Sequence, residues 1–381
     1  MFSSHRARYL VAAAILATSA CGGMHAVPTA GLGPDNAFVA TAPDAVDSTS
    51  VLKQLTKTVT IGSTVDSKNG DKAPHGLMIA RTSTPKIKKG QLVACNFSSK
   101  SNAAGQGTTI EVLNAKAGST SVQFAQNASA KGCAALAMTL GGSVVDAAFS
   151  SKVVATFDTT GAYTGLKSSK KGRSIVAPFG AAYGQTKGLY PELIVFATDA
   201  STGQVLSIDV TNAPYYSVTP IATGFAVNKK AGAAALGPAG LSYNAKTDTL
   251  YVVDGVDNTL VAIKGATGIR AIDAVTVLPG GKTFKYAKGV KPCASLVYSG
   301  SAFKGPVSST LLPNGNLIVA NASGNSLAEI SSAGKVLATR AAVQKGSAPA
   351  IFGLAASGTS DANTVLYYTN AVTNTVLELT K

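Results

Sequence analysis

Gly237-Pro238-Ala239-Gly240-Leu241-Ser242-Tyr243, then Thr249-Leu250-Tyr251-Val252-Val253-Asp254, then Asn258-Thr259-Leu260-Val261-Ala262-Ile263, is the stretch that decides the fold. Its first piece reads as a short strand opened by proline, a position that needs no ladder donor. The second is a nearly unbroken apolar run ending in Asp, as expected of a strand covered on both faces. After a turn, the third piece reads as another strand. One such unit cannot bury its own faces, so copies of it must stack side by side.

Working outward, the apolar second strand recurs as Leu92-Val93-Ala94-Cys95-Asn96, Val144-Val145-Asp146-Ala147-Ala148, Leu193 to Asp199, Leu317-Ile318-Val319-Ala320-Asn321 and Leu366-Tyr367-Tyr368-Thr369-Asn370. With the copy at Leu250 this predicts six units. The strand before it opens with a Pro-x-Gly-Leu element, clean at Pro74-His75-Gly76-Leu77 and Pro238-Ala239-Gly240-Leu241 and looser at Pro178, Pro306 and Phe352. Outer fourth strands are expected at 121–124, 162–166, 216–219, 274–277 and 335–338. The last unit ends at Lys381 without one. An unpaired alternating segment, Lys57 to Gly62, precedes the first unit and supplies the missing strand, closing a ring and removing its open edges. The expected fold is therefore all-β: a six-bladed β-propeller of four-stranded blades over residues 56–381.

These motifs resemble the NHL-repeat β-propellers. The resemblance is carried by Pro-x-Gly-Leu, then Leu-Tyr-Val-Val-Asp254, then Asn258 and the strand after it. It is sharpest over 237–263 and 305–330. Some enzymes of this fold are lactonases and lyases with metal ligands or catalytic groups at the channel mouth. The resemblance implies that the residue between Pro and Gly faces that mouth: His75, Ala134, Phe179, Ala239, Val307 and Phe352. Only His75 among them can move a proton, and one His does not make a multi-ligand metal site. His75, Phe179 and Phe352 are thus candidate ligand contacts, and His75 is the weak catalytic candidate.

Chain ends and cysteines set the compartment. Residues 1–20 carry His5, Arg6 and Arg8 before the apolar run Leu10 to Ala20, too short to span a bilayer and typical of a signal peptide. Thr18-Ser19-Ala20-Cys21 resembles a bacterial lipobox, so Cys21 is the candidate lipidation site. Ordinary secretion with cleavage after Ala20 or Ala26 is the alternative. Residues 21–55 are rich in Ala, Pro, Gly, Ser and Thr and read as a flexible tether. An exported protein can form disulfides. Cys133 and Cys293, both near loops, are the expected pair, with Cys95 a small core residue. No CxxC, Walker-type loop or Gly-x-Ser-x-Gly elbow occurs, and no cofactor is expected. Asp254 and Asp257 are weak candidates for a metal, against the plainer reading that Asp and Asn at strand ends cap turns.

Charge points to partners. The formal net charge is +15, with charged residues only 13% of the chain. Loops joining an outer strand to the next inner one define one face, the top. They carry Lys229, Lys230 and the long segment Pro279–Gly305 with Lys282, Lys285, Lys288 and Lys291, and their only acids are Asp66 and Asp71. An electropositive face attracts anionic partners. The expectation is a monomeric binding protein on the periplasmic side of the envelope, an outer-membrane lipoprotein that meets the membrane only through its lipid. Its partner would be an anionic envelope component or an acidic protein, and not nucleic acid. The alternatives are a lyase or lactone hydrolase built on His75, and a structural scaffold.

Overall fold

The computed structural model describes residues 49–165, 167–168, 174–212, 215–229, 237–343 and 348–381. The leader, most of the tether with Cys21, and Lys230 lie outside the described residues.

Six sheets form the blades of a propeller, and the consecutive strands of each blade pair antiparallel. Blade 1 is Lys72–Ile79, Leu92–Ser98, Thr109–Leu113 and Val122–Gln126. Blade 2 is Cys133–Met138, Val144–Ala148 and Val153–Phe157, and blade 3 is Pro178–Gln185, Leu193–Asp199, Gln204–Asp209 and Tyr215–Thr223. Blade 4 is Pro238–Asn244, Thr249–Asp254, Thr259–Lys264 and Ala294–Ser299, and blade 5 is Pro306–Leu311, Leu317–Asn321, Ser326–Ile330 and Val336–Ala341. Blade 6 is Leu354–Ser357, Val365–Asn370 and Thr375–Thr380, completed by Lys57–Ser63. The inner strands pack in ring order, the last against the first. The top end is where these strands begin. The bottom end holds the connections from first to second strands.

The apolar second strands are covered on both sides, as their sequence demands. Val144 and Ala148 face the core between blades 1 and 2, while Val145 and Ala147 face that between blades 2 and 3. Glycine lets the inner strands crowd at the axis: a Cβ on Gly180 would collide with the Ala239 carbonyl oxygen, and one on Gly353 with that of His75.

Ring closure follows the predicted pairing, Lys57 opposite Thr380 through Ser63 opposite Thr375. Closure begins earlier than expected, however. Residues 50–55 are not tether: Val51–Gln54 forms one helical turn, and Val51, Leu52 and Leu55 are buried with Leu327, Leu354 and Leu379. The Glu329 carboxylate on blade 5 receives Ser50 Oγ (2.7 Å), Val51 N (3.2 Å), Leu52 N (2.8 Å) and Asn316 Nδ2 (3.1 Å). Glu329 is fully buried without a cation, and those four donors satisfy it instead. Arg340 donates to the carbonyls of Leu55 and Thr56 and to Thr58 Oγ1. The closing segment is thus clamped to blade 5 before it pairs with blade 6.

Two outer strands differ from expectation. Of the segment expected there, residues 162–165 are described, and they give blade 2 the bridge Phe157–Tyr163, so that sheet has three strands among the described residues. Val275–Val277 pairs parallel with Tyr215–Thr223 and extends blade 3, together with Phe284–Tyr286. The true fourth strand of blade 4 is Ala294–Ser299, inside the segment read as a long loop.

The disulfide also differs. Cys133 bonds Cys95, with Cα atoms 5.8 Å apart, and so joins the first strand of blade 2 to the second strand of blade 1. Cys293 is not its partner: it lies at the other end of the ring, where its carbonyl accepts from Lys264 N. No cysteine is free among the described residues.

Neighbouring blades are clasped by asparagine. Asn258, Asn325 and Asn374 sit in the turns between second and third strands with φ of +54°, +43° and +58°. Each side-chain carbonyl accepts a backbone N–H at the start of the following blade: Gly305 (2.9 Å), Ala350 (2.9 Å) and Ala73 (2.9 Å). Asparagine tolerates the left-handed region and supplies the acceptor at once. Asn325→Ala is expected to lose about 2–3 kcal/mol, from backbone strain and an orphaned amide. Chemical denaturation measures this, and Asn325→Gly should recover the strain part alone.

Candidate functional site

A cavity of about 580 Å³ runs along the ring axis, lined by the inner strands of all six blades. Its top end is built from the residues at the Pro-x-Gly position. Ala134, Phe179, Ala239 and Val307 are buried in one apolar cluster, with Phe149 and Phe352 packed against it. His75 lies between two rings, Phe97 at 4.1 Å and Phe352 at 3.7 Å, both nearly parallel to it. Phe97 continues to Phe149 at 6.1 Å, and Phe149 meets Phe179 edge-on at 6.3 Å. The structure therefore brings His75 and Phe352 into contact and reaches Phe179 through Phe97 and Phe149. Those two links were missed, although each stands one residue past the apolar run read as a second strand, Leu92 to Asn96 and Val144 to Ala148.

His75 stands on the cavity wall with its ring covered by Phe97 and Phe352. It is 8% exposed and its Nδ1 has no hydrogen-bond partner among the described residues. Burial pushes its pKa down to about 3, so the imidazole is neutral at neutral pH. So weak a base gives little driving force for proton abstraction.

Polar residues at the second-strand ends hold the backbone. Asp254 Oδ1 accepts Val256 N at 2.9 Å and Asp257 N at 3.4 Å, while burial pushes its carboxyl up to about 6. Asp199 accepts Val176 N and Ala177 N, and Asn370 accepts Val372 N and Thr373 N. Turn capping accounts for Asp254 and Asn370, whereas Asp199 holds the segment ahead of its blade, and Asn96 and Asn321 bond Thr64 O and Lys304 N outside their turns. Among the described residues no group of three His, Cys, Asp or Glu is placed to hold a metal ion.

The lysines of 282–291 do not form one top loop. Lys282 sits in a turn whose Gly281 abuts Asp257 and Thr259, at the top. Lys285 lies on the edge strand Phe284–Tyr286. Lys291 adjoins Cys293 and Lys264, at the bottom end. The segment descends the rim of the ring and returns as Ala294–Ser299. Lys229 is exposed between blades 3 and 4. At the bottom end of the cavity stand Arg81 and Lys89, on the connection between the first two strands of blade 1. Both are exposed, with no acidic partner among the described residues. Sequence reasoning passed over this connection, whose signal was the unbalanced run Arg81, Lys86, Lys88, Lys89.

No family model matches the chain, and no curated protein matches it. Among solved structures, it is similar to a gluconolactonase from Xanthomonas campestris at TM-score 0.54 and 11% identity, over 85% of this chain and 89% of that one. It is also similar to a streptogramin B lyase at TM-score 0.50 and 11% identity, over 85% and 97%. At such identities the likeness speaks to the fold alone. Fold and neighbours together define a six-bladed β-propeller.

Proposed function

We propose that the protein is a binding module of the cell envelope, an exported NHL-type propeller that recognises an anionic partner through exposed lysines and arginines. The observation that supports this reading is how the charges divide. Asp66, Asp71, Glu111, Asp146, Asp199, Asp254 and Glu329 are buried, and no lysine or arginine is, among the described residues. The acids serve the interior while the cations are left to solvent. Burial also pushes Glu111 up to about 8, so its carboxyl is mostly neutral at neutral pH, and holds Asp146 well above the usual carboxylate range. The surface excess thus exceeds what composition suggests.

The catalytic alternative has one observation in its favour, the place of His75 on the cavity wall. Against it stand the two stacked rings and the low basicity of that imidazole.

A chain beginning at Thr49 contains every strand of the ring and serves for the test. It is expected to bind acidic glycans or anionic phospholipids at low salt, and to weaken about tenfold or more as salt screens the contact. Replacing Lys88 and Lys89, or Lys229 and Lys282, by Ala locates the binding face. Absence of binding at any salt would remove the anionic partner. Turnover of a lactone that disappears in His75→Phe would establish the enzyme instead.

A further inference from the structure

The six connections between first and second strands share the bottom end of the ring: 80–91, 139–143, 186–192, 245–248, 312–316 and 358–364. Their cations are Arg81, Lys86, Lys88, Lys89, Lys187 and Lys246, all exposed. Their acids are Glu192, Asp248 and Asp361, and each is engaged within the protein. Glu192 pairs with Arg270, Asp248 accepts from Tyr243 and Thr267, and Asp361 accepts from Asn314. Of the cations, only Lys86 has a side-chain hydrogen bond, a long one to the Phe124 carbonyl. These six connections are therefore electropositive, and unevenly so: all their cations except Lys246 belong to blades 1 and 3.

The same sector carries protruding apolar side chains. Leu189 and Tyr190, on the blade 3 connection, are each 94% exposed, and Leu140 on the blade 2 turn is 60% exposed. Leaving Leu and Tyr in water forgoes the gain that burying apolar surface returns. Cations flanking an exposed Leu-Tyr tip are the composition of an interfacial membrane contact, where apolar groups enter the headgroup layer and Lys and Arg meet anionic lipid.

We infer that blades 1 to 3 dock, bottom end down, on an anionic lipid bilayer, with Leu189 and Tyr190 entering the headgroup region. This rests on the anion-binding reading and names its partner. A soluble polyanion would engage the cations yet leave Leu189 and Tyr190 in water; a bilayer takes both. The membrane contact is then made by the ring itself.

The chain has no tryptophan, so one introduced indole reports its own surroundings. Tyr190→Trp and Val372→Trp, each in the chain beginning at Thr49, are mixed at low salt with vesicles of phosphatidylglycerol and phosphatidylethanolamine. Val372 is 53% exposed at the top end and serves as control. The expected result is a blue shift for Tyr190→Trp alone, absent with phosphatidylcholine vesicles. Co-sedimentation should weaken tenfold or more in Leu189→Asp/Tyr190→Asp and in Lys88→Glu/Lys89→Glu, since each cation near the surface contributes about 1 kcal/mol. Heparin binding, measured alongside, should survive Leu189→Asp/Tyr190→Asp. Equal shifts at both positions, or sedimentation unchanged by Leu189→Asp/Tyr190→Asp, would overturn the docking geometry. Heparin binding without vesicle binding would end the membrane inference and leave the anion-binding reading standing. Failure of both would end both.

Discussion

Removing residues 49–63 is expected to abolish cooperative unfolding of the whole ring, although these residues are a small fraction of the chain. Lys57–Ser63 supplies the outer strand of blade 6, and Val51, Leu52, Leu55 and Ile61 are at most 1% exposed. Exposing or deleting four such side chains forgoes about 6–12 kcal/mol at 1.5–3 kcal/mol each. That is the size of the whole net stability of an ordinary domain, about 5–15 kcal/mol. Deletion also strips Glu329 of the donors from Ser50, Val51 and Leu52, leaving a buried carboxylate mostly uncompensated. Thermal melts followed by circular dichroism should show a broad transition, or a midpoint more than 10 °C lower. An unchanged midpoint would mean the ring holds without its closing strand. Glu329→Ala isolates the clamp and should cost about 3–5 kcal/mol, with Glu329→Gln milder because it keeps one acceptor.

Stability should also fall as pH rises from mildly acidic to mildly alkaline. Glu111 is 1% exposed, and its Oε1 and the Asp66 Oδ2 are buried oxygens that no N–H or O–H reaches among the described residues. A proton kept on Glu111 and donated to Asp66 resolves this. Burial first, and then Asp66, push Glu111 from 4.5 up to about 8, opposed by Ser121 and Lys68. The folded chain therefore holds this proton more tightly than the unfolded one. Its contribution is fully present below pH 4.5 and is lost as pH climbs through 8. The loss is on the order of 5 kcal/mol across that window. Buried Asp146 and Asp254 are raised as well and act in the same direction. His75 works oppositely. Its pKa is lowered, so its contribution is present above 6.5 and is lost as pH falls toward 3. Three raised carboxyls outweigh one lowered imidazole, so the melting temperature should be higher at pH 5 than at pH 8. Glu111→Gln should flatten most of that slope. A higher midpoint at pH 8 in the parent protein would contradict the assignment.

What the sequence made legible were features with a local signature. The second strands announced themselves because a strand buried on both faces must be apolar throughout. Lys57–Ser63 was recognisable as the closing strand because an alternating segment with no neighbour had to pair with an incomplete last blade. The outer strands were less legible, since Val275–Val277 and Ala294–Ser299 look alike and only the ring decides which sheet each joins. The helical turn Val51–Gln54 carries no signal of its own, because its partner Glu329 is 277 residues away from Leu52. Pairing of Cys133 with Cys95 likewise depends on which blades become neighbours. At the channel, His75, Phe179 and Phe352 were pointed to by the resemblance to NHL-repeat propellers. Part of the burial that silences His75 comes from Phe97, on a different strand, and could not be read from the motif.

The first and last strand residues of the ring, Lys57 and Thr380, face each other across one ladder. Any pull on the chain upstream of residue 49 therefore arrives at the seam where the circle is sewn shut. It does not arrive there first. The short helix gripped by Glu329, and the strap of Arg340 across Leu55 and Thr56, lie in series ahead of the seam, so a load must peel these off blade 5 before it reaches the ladder. The clamp acts as a strain relief, as on a cable entering a plug, and lets a leash be tugged without unstitching the circle.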